Sequence, residues 1–487
     1  MDLPKLIPNW INGAEVAAVS GTSFDKLSPA TGNILFSVAR SNKNDVINAI
    51  DSANKAQVEW AETPAVQRGL VLHKLVIAIQ KHQEKIAEIV AAETGKSYND
   101  ALGETGAAIQ CGIFYASEGQ RLYGKTTTSG TPNKYAMTVR HPVGIAGLII
   151  AANTPIANVA WKIFPALICG NTVVLKPAED TPATAWIIGK LSSECGFPPG
   201  ILNIVQGFGE EVGKPLVENE DIGVISFTGS TMVGRYIQKT AGEQLKKVSL
   251  ELGGKNPFIV CDDANIDNAV KWAILSAFSN AGQRCASGSR IIVFEKVYNS
   301  FKEKLLIETE KLKVGPDNSD DFGPVINERQ LNGMLEAIES AKNSGAKVIS
   351  GGKRILTKGR ENGYYLQPTI IENANANDKI STEEQFGPIT CLYKARDFTE
   401  AVEMANNSPY GLTACIHTNS IHRATVFSKK MLSGAVVINA GTFGSEPHMP
   451  FGGYKQSGNG WREPGTEALD IYTELKDVYI NVDPKMT

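Results

Sequence analysis

The fold is decided by the apolar run GIAGLII at residues 144–150, which is followed by three similar runs along the chain. The later runs lie at residues 172–176, 202–205 and 224–227, and segments with helical spacing separate them. Continuously apolar strands that alternate with helices are typical of a parallel sheet covered by helices on both faces. The sequence therefore predicts a doubly wound α/β domain, in which ligands bind at the carboxyl ends of the strands.

Helical spacing dominates the segment upstream of this unit. Thr63 and Pro64 predict the start of one long helix that ends at Gly95, because proline suits the first helical position and glycine the C-terminal cap. The pair Asn12-Gly13, which follows apolar residues, predicts a hairpin turn near the N-terminus.

A second α/β unit is predicted downstream, with strands at 257–260 and 291–294 and a helix at 266–281. Residues 123–141 contain two β segments around a Gly-Thr-Pro turn, and the tail at 471–487 alternates like an edge strand. A hairpin inside an otherwise helical region is expected to project from its domain and to pair with a partner, and a local lid is the alternative.

Composition excludes several classes of function. A chain of 487 residues is too long for one compact core and predicts two or three domains. A net charge of −3 with both signs interspersed lacks the clustered basic surface that binding to nucleic acid requires. The uncharged stretch 142–161 is interpreted as a buried strand, a loop and the start of a helix, so no membrane span is predicted.

The cysteines and histidines predict neither a disulfide framework nor a metal site. The seven cysteines are scattered without CxxC spacing, and the six histidines show no ligand spacing. The N-terminus lacks the apolar core of a signal peptide. Together these features predict a cytoplasmic protein in a reducing compartment.

One cysteine has an unusual setting. Cys285 lies in NAGQRCASG, residues 280–288, where small neighbours leave room for a ligand and the cation of Arg284 would favour a thiolate. Glu251 stands among apolar residues in VSLELGG, residues 248–254, where a buried carboxylate is costly unless it is paired or functional. A thiolate can attack an electrophilic carbon, and a nearby carboxylate can activate the water that releases the product.

A second candidate site is the segment FTGS at residues 227–230, where a predicted strand ends and a predicted helix begins. Free backbone N–H groups and the helix dipole at such a turn bind phosphate. No GxGxxG motif accompanies it, so the segment alone is a weak signal for a dinucleotide.

Six motifs in one order along the chain closely resemble the aldehyde dehydrogenase superfamily, in its hydrolytic rather than CoA-acylating form. The resemblance extends from Trp10 to Glu474. The motifs are LKPAE at 175–179, FTGS at 227–230, LELGGK at 250–255, GQRC at 282–285, EQFGP at 384–388 and PFGGYKQSG at 450–458.

The resemblance implies an α/β architecture with three parts. Residues 1–122 and 142–253 would form a Rossmann-like domain that binds NAD, and residues 254–470 an α/β catalytic domain. Residues 123–141 and 471–487 would form a small β oligomerisation flap. A homodimer or homotetramer is expected, because a tail strand that adds to a neighbour's sheet hides an exposed edge.

The resemblance also implies catalytic roles. Cys285 would be the nucleophile that forms a thiohemiacetal with the aldehyde, and Glu251 the base that activates the deacylating water. Asn153 and the N–H of Cys285 would stabilise the alkoxide. Lys162 and Glu463 would relay protons. Hydride transfer to NAD would give a thioester, and hydrolysis would release the carboxylic acid.

The cofactor implied by the resemblance is NAD. Lys176 and Glu179 would hold the adenosine ribose, and the Glu179 carboxylate would repel a 2′-phosphate, so weaker use of NADP is expected. The other cofactor-binding residues implied are Ile149, Gly209, Phe227, Gly229, Ser230, Val233, Leu252, Glu384 and Phe386.

The substrate tunnel departs from the pattern that many members of the superfamily share. Thr154, Ser279 and Arg284 make it more polar, which predicts a short polar aldehyde or a semialdehyde. The alternative is that Arg284 points away and pairs structurally. The loop at 441–448 is expected to line the entrance. The substrate-binding residues implied are Thr154, Trp161, Ser279, Arg284 and Phe451.

Two other functions compete with hydrolytic aldehyde oxidation. A CoA-acylating enzyme transfers the acyl group to CoA and usually lacks the glutamate matched by Glu251. A catalytically silent structural protein of the same fold would have lost the nucleophile, the base or the oxyanion asparagine. The presence of Cys285, Glu251 and Asn153 argues against both.

Overall fold

The structure is a computed structural model that describes residues 3–357 and 359–486. Its N-terminal part begins with five short strands and continues with four helices. Their bounds are β1 Leu6–Ile7, β2 Asn9–Ile11, β3 Ala14–Val16, β4 Ser23–Leu27, β5 Ile34–Ala39, α1 Lys43–Glu62, α2 Ala65–Lys81, α3 Gln83–Thr94 and α4 Tyr98–Glu118.

The predicted hairpin is confirmed, but the predicted long helix is wrong in its middle. Strands β2 and β3 pair antiparallel around Asn12 and Gly13, whose φ angles of 55° and 75° suit a two-residue turn. Thr63 caps the end of α1, and the chain breaks again at His82, where α2 ends and α3 begins. The break at His82 allows both helices to pack on α4, and Gly95 ends α3 in the left-handed conformation.

The predicted doubly wound unit is confirmed. All four apolar runs form strands of one seven-stranded sheet, in the order β12-β11-β8-β9-β10-β2-β3 with the first five parallel. The bounds are β6 Thr126–Thr128, β7 Lys134–Pro142, β8 Ile145–Ile149, α5 Pro155–Ile168, β9 Thr172–Lys176, α6 Pro182–Glu194, β10 Leu202–Ile204, a π-helical turn Gly209–Gly213, α7 Lys214–Glu218, β11 Ile222–Thr228, α8 Thr231–Glu243 and β12 Lys247–Glu251.

The strand order of this sheet indicates at which edge a ligand binds. The chain runs outward from β8 through β9 and β10, then returns to the other side of β8 with β11 and β12. Ligands of such sheets bind at the carboxyl ends of strands where the order reverses. The segments that leave β8, β11 and β12 therefore converge on one crevice.

A second seven-stranded sheet has the order β15-β16-β17-β14-β13-β19-β20 and is parallel except for β15. The bounds are β13 Pro257–Val260, α9 Ile266–Phe278, β14 Arg290–Phe294, α10 Glu295–Glu310, α11 Glu328–Asn343, β15 Lys347–Ser350, β16 Thr369–Glu372, α12 Lys379–Thr382, β17 Ile389–Ala395, α13 Phe398–Asn406, β18 Tyr410–Gly411, β19 Thr413–His417, α14 Ile421–Lys430, β20 Ala435–Ile438, β21 Tyr454–Lys455, α15 Ala468–Ile471 and β22 Thr473–Asn481.

The two segments predicted to form the flap come together in one sheet with the order β22-β7-β6. Strand β22 pairs antiparallel with β7 along its whole length, from Thr473 to Asn481. Just before it, Leu469 and Tyr472 are buried in the core of the N-terminal unit. The domain bounds given above stay a prediction.

Membrane crossing was also considered for the helices. Within residues 3–357 and 359–486, none of the helices combines the length and the apolar character that a bilayer span requires.

Candidate active site

A cleft of about 900 Å³ opens at the carboxyl ends of the first sheet, opposite the segment that carries Cys285. Most of the residues predicted from the sequence line it, and the loop predicted at its entrance contributes Phe443 to Pro447. The predicted residues in its lining are Asn153, Thr154, Trp161, Gly229, Ser230, Glu251, Leu252, Arg284, Cys285, Glu384, Phe386 and Phe451.

A strained turn delivers Cys285 to the cleft. Helix α9 ends at Phe278, and Asn280, Ala281 and Gly282 then adopt φ angles of 55°, 54° and 65°. A Cβ on Gly282 would lie 2.0 Å from the carbonyl oxygen of Gly387, so no other residue fits there. Such backbone conformations persist where the surroundings hold them, and they are concentrated at active sites.

The Cys285 thiol is protonated at neutral pH in this setting. Burial raises the pKa of Cys285 to about 12, and the negative charges of Glu384 and Glu251 act in the same direction. The N–H of Ala286 and the cation of Arg284 lower the pKa without outweighing burial. Arg284 thus lowers the pKa of this thiol, as predicted from the sequence, but desolvation disfavours the charged thiolate more strongly, so the net shift is upward.

A pH experiment follows from this protonation state. We expect the rate of Cys285 alkylation by iodoacetamide to rise about tenfold per unit between about pH 7 and pH 9, because only the thiolate reacts. Peptide mass mapping of the protein without cofactor measures this rate, and the partly exposed Cys195 is an internal reference. A rate that is already level at pH 7 would contradict a raised thiol pKa.

Glu251 ends β12 with a carboxyl group that has no hydrogen-bond partner among the described residues. A Cβ on Gly452 would lie 2.7 Å from Glu251 Oε1, so a glycine is needed beside the carboxyl group. Burial, followed by the negative charge of Glu463, raises the pKa of Glu251 well above its usual range. A carboxyl group of raised pKa in a cleft is suited to proton transfer near neutral pH.

Lys162 and Glu463 lie behind Glu251 in a buried cluster with Ser226. The Lys162 ammonium is 2.8 Å from Glu463 Oε2, and Ser226 Oγ is 2.6 Å from Glu463 Oε1. Lys162 also donates to Ser226 Oγ at 2.6 Å. Neither charged residue lines the cleft, so each could act on substrate only through other groups; their relay role stays a prediction.

Asn153 lies in the loop between β8 and α5. Its side-chain amide donates to the carbonyl of Gln283 at 3.0 Å, two residues before Cys285. An amide nitrogen carries two N–H donors, so one remains for an oxygen atom in the cleft. One N–H of the Asn153 side chain thus bonds the segment that carries Cys285, and the second N–H could stabilise an alkoxide.

The other end of the cleft has the features of a dinucleotide site. Ser230 caps helix α8 by accepting from the N–H of Val233 at 3.4 Å, and the dipole of this helix favours phosphate. Glu179 lies 2.9 Å from the Lys176 ammonium. Burial opposes its ionisation, but the charge and hydrogen bond of Lys176 keep the pKa of Glu179 below its usual value. An ionised carboxylate at this position can accept bonds from ribose hydroxyls.

Glu384 borders this end of the cleft near the thiol. Its Oε1 accepts from the N–H of Gly254 at 2.9 Å, and a Cβ on Gly253 would lie 2.2 Å from Oε2. Burial raises the pKa of Glu384 to about 7, although the Gly254 bond and the charge of Lys255 lower it. These residues together fit NAD, which would place its ribose groups at Glu179 and Glu384 and its pyrophosphate at Ser230.

Lys176, Glu179 and the remaining predicted cofactor residues lie around this half without lining the cleft. Ile149 and Phe227 are buried in the sheet, Gly209 opens the π-helical turn and Val233 is in the first turn of α8.

Arg284 lines the substrate half of the cleft and has no ion pair among residues 3–357 and 359–486. Its Nε donates to Ser279 Oγ at 3.3 Å, and its guanidinium carbon lies 5.0 Å from the centre of the Phe443 ring. Arg284 therefore lies in the cleft lining, as the first alternative has it, and also makes structural contacts with Ser279 and Phe443, as the second has it. Ser279 differs from the prediction, since it holds Arg284 instead of lining the cleft.

The other predicted substrate residues surround the thiol side of the cleft. The rings of Trp161 and Phe451 lie 5.7 Å apart between centroids, and Thr154 accepts from Asn158 Nδ2 at 3.2 Å. Several lining residues carry no signal in the sequence, and the least expected of them are the buried ion pair of Lys96 and Glu104. The two lie eight residues apart, on either side of the start of α4, and no local motif joins residues at that spacing.

No group of three or more histidine, cysteine, aspartate or glutamate side chains is arranged to hold a metal ion in the described part of the chain.

Comparisons with known proteins agree on one family. The profile of the aldehyde dehydrogenase family matches residues 16–478. An alpha-ketoglutaric semialdehyde dehydrogenase of Bacillus subtilis is 38% identical, covering 97% of each chain, and an alpha-ketoglutarate semialdehyde dehydrogenase of Haloferax volcanii is 38% identical, covering 97% of this chain and 98% of its own. A crystal structure of a betaine aldehyde dehydrogenase mutant from Staphylococcus aureus with NAD+ superposes with a TM-score of 0.96 at 32% identity, covering 98% of each chain.

The family match covers nearly the whole chain and includes both halves of the cleft. The chain therefore belongs to the aldehyde dehydrogenase family and oxidises an aldehyde to the carboxylic acid with NAD.

Proposed function

We propose that the aldehyde substrate carries a carboxylate, as a semialdehyde does, and that Arg284 binds this group. The observation that carries the proposal is the Arg284 guanidinium, which lines the cleft beside Cys285 without a carboxylate partner in residues 3–357 and 359–486. Burial lowers the pKa of Arg284 from its usual value, and the negative charges of Asp100 and Glu104 offset this only in part, so the cation is poorly solvated and gains from an incoming anion. A guanidinium can bind a carboxylate through two parallel hydrogen bonds.

The known relatives support this substrate class. The two alpha-ketoglutarate semialdehyde dehydrogenases named above are 38% identical to the chain, and such a semialdehyde carries a carboxylate. Betaine aldehyde carries a quaternary ammonium instead, which the Arg284 cation would repel. The similarity to betaine aldehyde dehydrogenase therefore gives less guidance on substrate than the charge in the cleft.

Four groups of the chain perform the chemistry in this proposal. The Cys285 thiol first loses its proton to solvent, and the resulting thiolate attacks the aldehyde carbon, while Asn153 Nδ2 and the N–H of Cys285 stabilise the alkoxide that forms. NAD, when bound, accepts the hydride. Glu251, once deprotonated, takes a proton from water that attacks the thioester carbon. The carbon–sulfur bond then breaks, and Cys285 is released with the carboxylic acid.

Arg284→Ala is expected to lower kcat/KM for semialdehydes by about 10- to 100-fold, mainly through KM, because a hydrogen bond to a charged group contributes about 1.5–3 kcal/mol. Uncharged aldehydes should change by less than about threefold. The measurement is NADH production with alpha-ketoglutaric, succinic and glutaric semialdehydes, small hydroxyaldehydes, betaine aldehyde, benzaldehydes and fatty aldehydes.

Two variants are controls for Arg284→Ala. Arg284→Lys retains the charge but loses the planar fork, so it should recover part of the affinity. Ser279→Ala removes the hydroxyl that holds Nε and should have a smaller effect of the same kind. An unchanged KM for every semialdehyde in Arg284→Ala would exclude carboxylate recognition by this residue, and best turnover of benzaldehydes or fatty aldehydes would exclude the substrate class.

We also expect kcat/KM for NAD to exceed that for NADP by at least about tenfold, because the ionised Glu179 repels a 2′-phosphate. Glu179→Gln should narrow this ratio, since the amide has the same size without the charge. Steady-state kinetics with both cofactors measures it, and faster turnover with NADP in the unmodified protein would contradict the assignment.

For assembly, we propose a homodimer or homotetramer that forms through β22 and the hairpin at 123–141. Strand β22 is at the edge of its three-stranded sheet and exposes apolar side chains at Leu475, Tyr479 and Ile480. Exposed edge strands of this kind are normally covered by a neighbour. The mass in solution by light scattering tests the proposal, and a monomer at micromolar concentration would refute it.

A further inference from the structure

The buried ion pair between Lys96 and Glu104 is the strongest feature that the mechanism does not use. The Lys96 ammonium lies 2.5 Å from Glu104 Oε2, and both side chains are about 95% buried, with exposures of 5% and 6%. Both residues line the catalytic cleft. Taking two charges out of water is costly, and their attraction recovers this cost only with good geometry and further hydrogen bonds. The further bonds of this pair all point to one loop.

That loop connects β8 to α5 and contains Asn153. Lys96 donates a second hydrogen bond to the backbone carbonyl of Asn153 at 2.8 Å. Glu104 accepts from the backbone N–H of Ile156 at 3.0 Å and, more weakly, of Ala157 at 3.4 Å. The pair therefore fixes the loop at Asn153 itself and at the start of α5, which follows it.

Glu104 replaces a missing helix cap. The first N–H groups of any helix lack partners inside the helix and need capping groups. Thr154, at the N-cap position of α5, makes no capping hydrogen bond with its side chain. Glu104 supplies this cap from α4, and its negative charge is favourable at the positive end of the α5 dipole.

We propose that Lys96 and Glu104 are positioning residues that act through Asn153, and the inference rests on the oxyanion role proposed for that residue. The carbonyl of Asn153 accepts from Lys96 on one side and from Asn280 Nδ2, at 3.3 Å, on the other. Fixing this peptide unit directs the side-chain amide toward Gln283 and the cleft. The pair preorganises the alkoxide donor before substrate arrives.

The experiment measures the first turnover by stopped flow as NADH appears, with the substrate that the aldehyde panel selects. Lys96→Met, and the neutral double variant Lys96→Met with Glu104→Gln, should slow this burst by about 10- to 100-fold, since a misplacement of about 1 Å costs a factor of this order. The double variant leaves no unpaired buried charge, so it stays informative if the single variant folds poorly. Lys96→Arg, which retains the charge, should recover part of the rate.

Three readouts separate positioning from a general loss of structure. The alkylation rate of Cys285 and the affinity for NAD, measured by calorimetry, should stay within about twofold of the unmodified protein. Lys302→Met breaks a less buried ion pair with Glu372, neither of which lines the cleft, and should leave the burst unchanged. Parallel loss of alkylation, NAD affinity and burst rate would overturn the proposal.

A double-mutant cycle with Asn153→Ala completes the test. If Lys96 acts through Asn153, Lys96→Met should slow the burst by less than about twofold in the Asn153→Ala background, because interacting residues are not additive. If the rate losses of Lys96→Met and Asn153→Ala multiply in the double variant, the positioning role is refuted. A burst that Asn153→Ala leaves unchanged would refute the oxyanion role of Asn153 instead, so the two failures are distinguishable.

Discussion

Replacement of Cys285 by alanine is expected to reduce NADH formation by at least about 10⁴-fold, because loss of a catalytic nucleophile has effects of this order or larger. The structure supports this expectation through the turn at residues 280–282, whose left-handed backbone presents this one side chain to the cleft. No other cysteine lines the cleft among the described residues.

The expected loss concerns chemistry and not folding. Alanine is smaller than cysteine, and the backbone carbonyl of Cys285, which accepts from Asn256 Nδ2 at 2.8 Å, stays in place. The affinity for NAD and the melting temperature should therefore change little. Cys285→Ser should also be nearly inactive, since a hydroxyl ionises far less readily than a thiol.

Cys195→Ala is the matched control, because Cys195 is the only other cysteine that is not fully buried in the described structure. Its activity should equal that of the unmodified protein. Substantial NADH formation by Cys285→Ala would show that the aldehyde is oxidised without a covalent intermediate. If the unmodified protein forms NADH and Cys285→Ala does not, the result would also exclude a catalytically silent protein of the same fold.

Sequence patterns predicted the parts of this fold that depend on local periodicity. The strands β8, β9, β10 and β11 are apolar throughout because helices cover both faces of their sheet, and such runs are recognisable without a structure. Strand β19 was missed, although it lies between β13 and β20. Its His417 is buried against Phe258, with ring centroids 4.7 Å apart, and a polar residue in a central strand hides the pattern.

Properties that depend on burial were predicted less well. The resemblance to a family located Cys285 and Glu251, and Arg284 lowers the pKa of the thiol as its position next to Cys285 suggested, but burial raises that pKa by more. Neighbours in sequence indicate charge, whereas desolvation depends on the surrounding fold. The loop that Lys96 holds is distant in sequence in the same way, since Asn153 follows Lys96 by 57 residues.

Glu251→Gln is expected to slow steady-state turnover by about 10²- to 10⁴-fold while the first turnover survives, because general base catalysis contributes roughly this much. Glutamine has the same size but accepts no proton. If Glu251 activates only the deacylating water, the thioester on Cys285 should still form. The variant should therefore release about one NADH per subunit in a burst and then stall.

The structure indicates that Glu251→Gln removes a proton acceptor and changes little else. The Glu251 carboxyl oxygens have no hydrogen-bond partner among the described residues, so an amide breaks no bond of the fold. Burial raises the pKa of Glu251 well above its usual range, so the site disfavours the charged carboxylate, and an amide of the same size brings no charge into it. Glu251→Gln should therefore leave the melting temperature nearly unchanged.

Stopped-flow absorbance and mass spectrometry of the quenched enzyme distinguish the possible outcomes of the Glu251→Gln experiment. The expected result is a burst followed by an acyl adduct on Cys285, with hydroxylamine restoring turnover because it attacks thioesters without a general base. Glu446→Gln, an exposed carboxyl in the cleft lining, should behave like the unmodified protein. Equal loss of burst and steady-state rates would place Glu251 before the thioester, at the activation of Cys285. Turnover of Glu251→Gln that CoA restores, with acyl-CoA as product, would instead indicate the CoA-acylating reaction.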